Sequence, residues 1–111
     1  MKVLLVGTGP ETAEKVNLAA RLRWPNVDVH VAAEADNALM VVEDQEPDIV
    51  IFESEAGEKP ADVFAQELRA FSDVPLIVLE TEANGGDLEE AKALEAGADD
   101  YIRQPAGIIS L

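Results

Sequence analysis

The stretches Pro47-Asp48-Ile49-Val50-Ile51-Phe52-Glu53 and Glu95-Ala96-Gly97-Ala98-Asp99-Asp100-Tyr101-Ile102-Arg103-Gln104-Pro105 decide the fold of this chain. Each contains a short apolar run that leads to a polar side chain, as where a buried strand meets solvent. In open sheets of parallel strands, sites form at that edge, outside the carboxyl ends of the strands. Glu53 and Gln104 are therefore the first candidates for functional positions.

Outward from these stretches, further apolar runs alternate with amphipathic segments. Val3–Val6 and Leu76–Leu79 are typical of buried strands, and the alternating valines from Val27 to Val31 predict a half-exposed edge strand. The segments between the strands predict helices over about 10–23, 36–45, 61–71 and 87–96, the second capped by Asp36 or Asn37. Strict strand–helix alternation predicts a parallel sheet covered by helices on both faces.

The helical segments also predict which side chains are buried. In the third helix we expect Val63, Phe64 and Leu68 to point inward, and in the fourth Leu88, Ala91 and Leu94. Gly97 supplies a residue that readily adopts positive φ where the fourth helix ends.

Composition excludes several classes of protein. The 111 residues suffice for one domain, residues 1–111, and 48% of them are apolar. The net charge of −15 repels nucleic acid phosphates, so we expect no nucleic-acid binding by this chain alone. There is no cysteine, and no apolar run approaches the ~20 residues of a membrane span. These features predict a cytoplasmic protein without membrane attachment.

The two opening stretches closely resemble the third and fifth strands of response-regulator receiver domains of two-component signalling. Lys2–Val6 is similar to the first strand of that family, and Asp73–Leu79 resembles the fourth. The resemblance implies a flavodoxin-like (CheY-like), doubly wound α/β fold with five parallel strands in the order 2-1-3-4-5. Six residues follow Pro105, too few for the covering helix of the family, so we expect that final helix to be missing or truncated.

At the positions where receivers carry their chemistry, this chain departs from the family. Gly7 and Thr8 stand where receivers have two acids that hold magnesium, and Glu53 replaces the phosphate-accepting aspartate. Magnesium prefers oxygen ligands in near-octahedral geometry, usually including one or two carboxylates. Glu53 is one methylene longer than aspartate, and a misplacement of ~1 Å can cost about a hundredfold in rate. Phosphorylation is therefore expected to be negligible.

The positions that read phosphorylation in receivers are altered as well. Glu80 replaces the threonine or serine, and Gln104 replaces the lysine that pairs with the phosphoryl group. Tyr101 alone matches the aromatic switch residue of the family, and we expect it to pack statically on the sheet. Because phosphoryl transfer depends on positioning and charge neutralisation, losing the lysine removes stabilisation of acceptor and product.

The resemblance and its departures together predict a non-catalytic pseudo-receiver, a phosphorylation-independent protein-interaction module in signal transduction or transcriptional regulation. We expect no enzymatic activity, no catalytic residue, no metal and no cofactor. The resemblance implies that a protein partner or a second copy binds the face formed by the Leu88–Ala96 helix and the Tyr101–Arg103 strand.

Three alternatives remain open. The longer carboxylate of Glu53 could imitate a phosphorylated aspartate and hold the domain active-like. The loop Gly7–Thr12, at a helix N-terminus, could bind a nucleotide or phosphate, although it lacks both glycine-rich fingerprints. The strand-end acids could gather a cation. We favour carboxylates that point apart into water, with Arg103 offsetting their charge; the acids concerned are Glu53, Glu55, Glu80 and Glu82.

Overall fold

A computed structural model describes residues 1–7, 10–53, 59–80 and 87–103, except the side chains of 10–12. Strands and helices alternate through these ranges. The elements are β1 (Lys2–Val6), α1 (Pro10–Arg23), β2 (Asp28–Ala32), α2 (Ala35–Gln45), β3 (Ile49–Glu53), α3 (Ala61–Arg69), β4 (Leu76–Glu80), α4 (Asp87–Ala96) and β5 (Asp100–Arg103). Residues 104–111 lie outside the described ranges, so the truncated final helix stays a prediction.

The five strands form one sheet in the order β2-β1-β3-β4-β5, and every described pairing is parallel. This confirms the predicted topology. In register, Val6 lies opposite Phe52, Glu53 opposite Leu79, and Glu80 opposite Arg103. The carboxyl ends of β1, β3, β4 and β5 therefore meet at one edge, where the candidate residues were expected.

Alternate strand residues feed two separate cores. One core joins the sheet to α2, α3 and α4 and includes Phe52 stacked on Phe64, with ring centroids 4.5 Å apart. The other lies under α1 and includes Val16 and Ala20 of that helix. Because both faces of the central strands are buried, those strands read as continuous apolar runs.

Several expectations about helix faces were wrong. Phe64 and Leu68 of α3 are fully buried, but Val63 is 37% exposed. The buried face of the helix includes Ala65 instead of Val63. In α4 the expected Leu88, Ala91 and Leu94 are all exposed, and the buried residue is Ala93. Since α4 packs closely on α3, the small side chain lies inward and the leucines face solvent.

The start of α2 also differs from the prediction. Glu34 is the N-cap residue, and its side chain makes no capping hydrogen bond, so neither Asp36 nor Asn37 caps the helix. Asp36 instead bonds Lys59, which precedes α3. The helix end at Gly97 does match the prediction, because this glycine has φ of 122°. Within the described part of the chain, no helix has the length and apolarity that a bilayer crossing requires.

Candidate functional site

The carboxyl ends of β1 and β3 bring Gly7 and Glu53 into contact. The Gly7 N–H donates to the Ala32 carbonyl at 3.0 Å, which fixes Gly7 in line with β1. A Cβ atom built on Gly7 would lie 2.6 Å from Glu53 Oε2 and 2.9 Å from Glu53 Cβ. The Glu53 side chain therefore lies against the bare Cα of Gly7, in the space that a side chain at position 7 would need.

Glu53 is buried rather than solvated. Its exposed fraction is 9%, so the expectation that this carboxylate points into water was wrong. The reason lies in the sequence of the neighbouring strand: glycine at position 7 leaves a hollow, and the extra methylene of glutamate fills it.

Strand alternation separates Glu53 from the second candidate acid, Glu80. Ile51 and Leu79 belong to the core under α1, whereas Val78 belongs to the core on the opposite face. Residues two apart in a strand point to the same face of the sheet. Glu53 therefore lies on the same face as Ile51, toward α1, and Glu80 lies on the same face as Val78, away from α1. The two acids end adjacent strands, but they project toward different faces of the sheet.

Glu80 is joined to Tyr101. The tyrosine Oη donates to Glu80 Oε1 at 3.2 Å, and the two residues are 8% and 5% exposed. Burial and the nearby Glu80 carboxylate raise the pKa of Tyr101 to about 12, from the ordinary value of 10.0. The inward position of Tyr101 agrees with static packing; motion of the ring stays untested. The expected solvation of Glu80 was wrong, because β5 places an aromatic donor over it.

Arg103, at the end of β5, connects this buried pair to α4. Its Nε lies 3.6 Å from Glu80 Oε2, and its Nη2 donates to Asp87 Oδ1 at 2.9 Å. Glu90 Oε1 is 3.8 Å from the same Nε. The Asp87 hydrogen bond is the largest cause that raises the pKa of Arg103. The prediction that Arg103 offsets the strand-end acids is confirmed for Glu80, and the arginine also holds the first turn of α4.

A second cation at this end of the sheet is Lys59. Its Nζ donates to Asp36 Oδ1 at 2.5 Å and to Glu67 Oε2 at 2.8 Å, which ties the start of α2 to α3. These bonds raise the pKa of Lys59. Sequence reasoning did not select Lys59, since nothing in its local pattern shows that α2 and α3 meet there. Its charge is already balanced by two carboxylates.

The receiver resemblance implies a magnesium ion, and the described residues do not fit one. Gly7 offers no side-chain ligand, and a carboxylate side chain there would overlap Glu53. Among the described residues, no group of three His, Asp or Glu side chains is arranged to hold a metal ion. Thr8 and Gln104 lie outside the described ranges, as do Glu55 and Glu82, so the roles expected at those positions stay predictions.

Comparison with known proteins adds independent information about the sequence and fold of the whole chain. No family model matches the chain. Its sequence is 32% identical over 105 residues to the DNA-binding response regulator MtrA of Mycolicibacterium smegmatis, covering 94% of this chain and 44% of MtrA. It is also 32% identical over 98 residues to the KDP operon transcriptional regulatory protein KdpE of Escherichia coli, covering 88% of this chain and 43% of KdpE.

Comparison with solved structures also finds similarity to a response-regulator receiver domain. The BeF3-activated N-terminal receiver domain of Klebsiella pneumoniae RstA superposes with a TM-score of 0.78 and 28% identity, covering 96% of this chain and 89% of that domain. The chain thus spans less than half the length of the curated relatives above, but nearly all of a separate receiver domain.

Proposed function

We propose that this chain, a response-regulator receiver domain in signal transduction by its homologues and structural neighbours, acts as a pseudo-receiver. In this proposal it relays signals through protein contacts that do not depend on phosphorylation of residue 53. It carries out no catalysis and binds no cofactor. We include in the proposal the predicted cytoplasmic location and a role in transcriptional or other signalling control.

The observation that carries the proposal is the contact between Glu53 and Gly7. Transfer of a phosphoryl group requires an acceptor oxygen placed in line with the donor and cations that neutralise the equatorial oxygens. Here the carboxylate of residue 53 is folded against β1, within 2.6 Å of the position of a Cβ on Gly7. The same contact uses the space in which a metal-binding carboxylate would be attached, so acceptor geometry and metal ligation are lost together.

The second support comes from Glu80 and Tyr101. In receivers the residue at position 80 carries a hydroxyl, whereas here it is a buried carboxylate that accepts the Tyr101 hydrogen bond. Arg103 lies against the same carboxylate and against Asp87. The tyrosine is thus held inward by a residue of the chain itself, without any group attached at position 53.

The proposed contact surface is the α4–β5 face, for a protein partner or a second copy. Leu88 and Leu94 are 65% and 41% exposed on α4, and Arg103 at the end of β5 is also exposed. Exposed leucines on one helix are available to bury apolar area against another protein. In this proposal Arg103 fixes the position of α4 through Asp87 and so keeps the face in one form.

Intact-mass spectrometry after incubation with a small phosphodonor and magnesium tests the proposal. The native chain should gain no phosphoryl group. The matched control restores the five family residues in one variant: Gly7→Asp, Thr8→Asp, Glu53→Asp, Glu80→Thr and Gln104→Lys. A phosphoryl adduct on the control shows that the assay works, and an adduct on the native chain would overturn the proposal.

Amide NMR spectra distinguish the alternatives. Addition of beryllofluoride with magnesium should leave the resonances of the native chain unchanged, and so should addition of nucleotides or inorganic phosphate. Shifts around Gly7–Thr12 with phosphate alone would favour the anion-binding alternative. If Glu53 imitates a phosphorylated residue, Glu53→Gln should shift the resonances of Tyr101 and α4; the pseudo-receiver proposal expects changes confined to the surroundings of Gly7.

A further inference from the structure

A cleft lies at the opposite edge of the sheet, beside the amino ends of β3 and β4. It has a volume of about 210 Å³ and lies between the end of α2 and the loop that follows α3. We propose that this cleft binds an arginine side chain from a basic segment of a partner protein. The site is separate from the one at the carboxyl ends of the strands and does not depend on the function proposed there.

One wall of the cleft is an exposed aromatic ring on a loop held by hydrogen bonds. Phe71 is 47% exposed. Next to it, Arg69 Nη1 donates to the carbonyls of Ser72 and Val74 at 3.1 and 2.7 Å, and the Val74 N–H donates to Ser72 Oγ at 3.1 Å. Since these bonds hold the backbone of the loop, little backbone ordering is needed when a ligand binds, which reduces the entropic cost.

The facing wall carries two acidic side chains at the carboxyl end of α2, where negative charge is unfavourable. Glu43 and Glu46 line the cleft at the carboxyl end of α2, and the last turn of that helix has no basic residue. A helix C-terminus has a partial negative charge, so acids there repel it. Lys2 Nζ reaches the Gln45 carbonyl, but only at 3.4 Å and on an exposed side chain. A cation bound in the cleft would relieve this repulsion.

The backbone at Glu46 adds a further local cost. Its φ of 47° and ψ of 63° place it in the left-handed region, where glycine is the usual residue. For an L-residue this conformation is less favourable than for glycine, which has no Cβ atom. A charged residue therefore lies where glycine would be more stable, at a position that lines the cleft.

Size and chemistry select the ligand. Small-molecule pockets usually measure about 300–1,000 Å³, so the 210 Å³ available here suits one side chain better than a cofactor. The apolar lining, from Val42, Pro47, Phe71 and Val74, suits the stem of a long side chain. Guanidinium stacks on aromatic rings and pairs with carboxylates in its plane, and it is more weakly hydrated than an ammonium group. The charge of −15 further favours a basic partner.

The experiment is an NMR titration of the full chain with an acetylated, amidated tetra-arginine peptide at roughly physiological ionic strength, ~0.15 M, where weak surface attraction is largely screened. Amide shifts should centre on residues 42–47 and 71–74. A tetra-lysine peptide should bind at least a few-fold more weakly. Absence of shifts at millimolar peptide, or equal affinity for both peptides, would overturn the proposal.

Variants separate recognition in the cleft from general attraction to an acidic protein. Phe71→Ala and Phe71→Leu should each weaken binding by about 3- to 10-fold. This factor corresponds to the interaction energy of a cation stacked on an aromatic ring. Glu46→Gln should weaken binding to a similar extent, whereas Glu14→Gln, the same charge change on an exposed part of α1, should change it by less than twofold. If Phe71→Leu binds like the native chain, or if both glutamate variants weaken binding equally, the cleft is not an arginine site.

Discussion

Replacing Gly7 by alanine gives a direct test of the arrangement at the carboxyl ends of β1 and β3. The added methyl would meet Glu53 Oε2 at 2.6 Å and Glu53 Cβ at 2.9 Å, both closer than real contacts of this kind. The oxygen ends a flexible side chain and can move aside. The Cβ is fixed by the backbone of β3, so part of the overlap persists whatever the rotamer of Glu53.

The expected change in unfolding free energy of Gly7→Ala follows from two opposing effects. Alanine in place of glycine gains roughly 0.5–1 kcal/mol through lower backbone entropy in the unfolded chain. Forcing an extra methyl into a packed site costs about 1–3 kcal/mol. We therefore expect Gly7→Ala to lose ~1–2 kcal/mol of unfolding free energy, which in a domain of this size lowers the melting temperature by roughly 5–10 °C.

Urea unfolding of four chains measures the effect as a double-mutant cycle: native, Gly7→Ala, Glu53→Ala and both together. Removing the carboxylate eliminates the 2.6 Å contact but leaves the Cβ at 2.9 Å. Gly7→Ala should thus cost less in the Glu53→Ala background, with a coupling energy of at least ~0.5 kcal/mol. Equal costs in both backgrounds, or a more stable Gly7→Ala chain, would refute the packing of Glu53 against Gly7.

Three further predictions concern Tyr101 and the end of α4. The phenolic absorbance of Tyr101, the single tyrosine, should titrate near 12 rather than 10. In Glu80→Gln the midpoint should fall but stay above 10, because burial of the ring, the largest cause, remains. A native midpoint near 10 would contradict the buried Tyr101–Glu80 bond. Because the folded chain keeps a proton that the unfolded chain loses, unfolding free energy should fall as pH rises from about 10 to 12, and less steeply in Tyr101→Phe. Gly97→Ala should lower the unfolding free energy measured in urea by at least ~2 kcal/mol, because φ is 122° and the new Cβ would lie 2.6 Å from Arg69 Cγ. A loss under ~0.5 kcal/mol would show that the end of α4 adapts to the added methyl.

The local pattern of the chain was sufficient to predict a parallel sheet, and the resemblance to receiver domains supplied the order of its strands. Apolar runs such as Val3–Val6 and Ile49–Phe52 suit strands buried on both faces, and their alternation with helices favours parallel strands joined by right-handed crossovers. The positions of Gly7, Glu53 and Glu80 at one edge followed from that topology, because parallel strands end on the same side.

The sequence alone could not show how these side chains are arranged, since that depends on register and on packing between distant segments. Glu53 lies opposite Leu79 and therefore shares the α1 face, while Glu80 shares the face of Tyr101. The burial of Glu53 depends on Gly7 of a distant segment, and that of Glu80 depends on Tyr101. The exposure of Leu88 depends on how closely α4 meets α3, and the cleft beside Phe71 depends on where α2 ends. Periodicity along one segment carries no information about the distance to another, so these features were decided only when the chain folded.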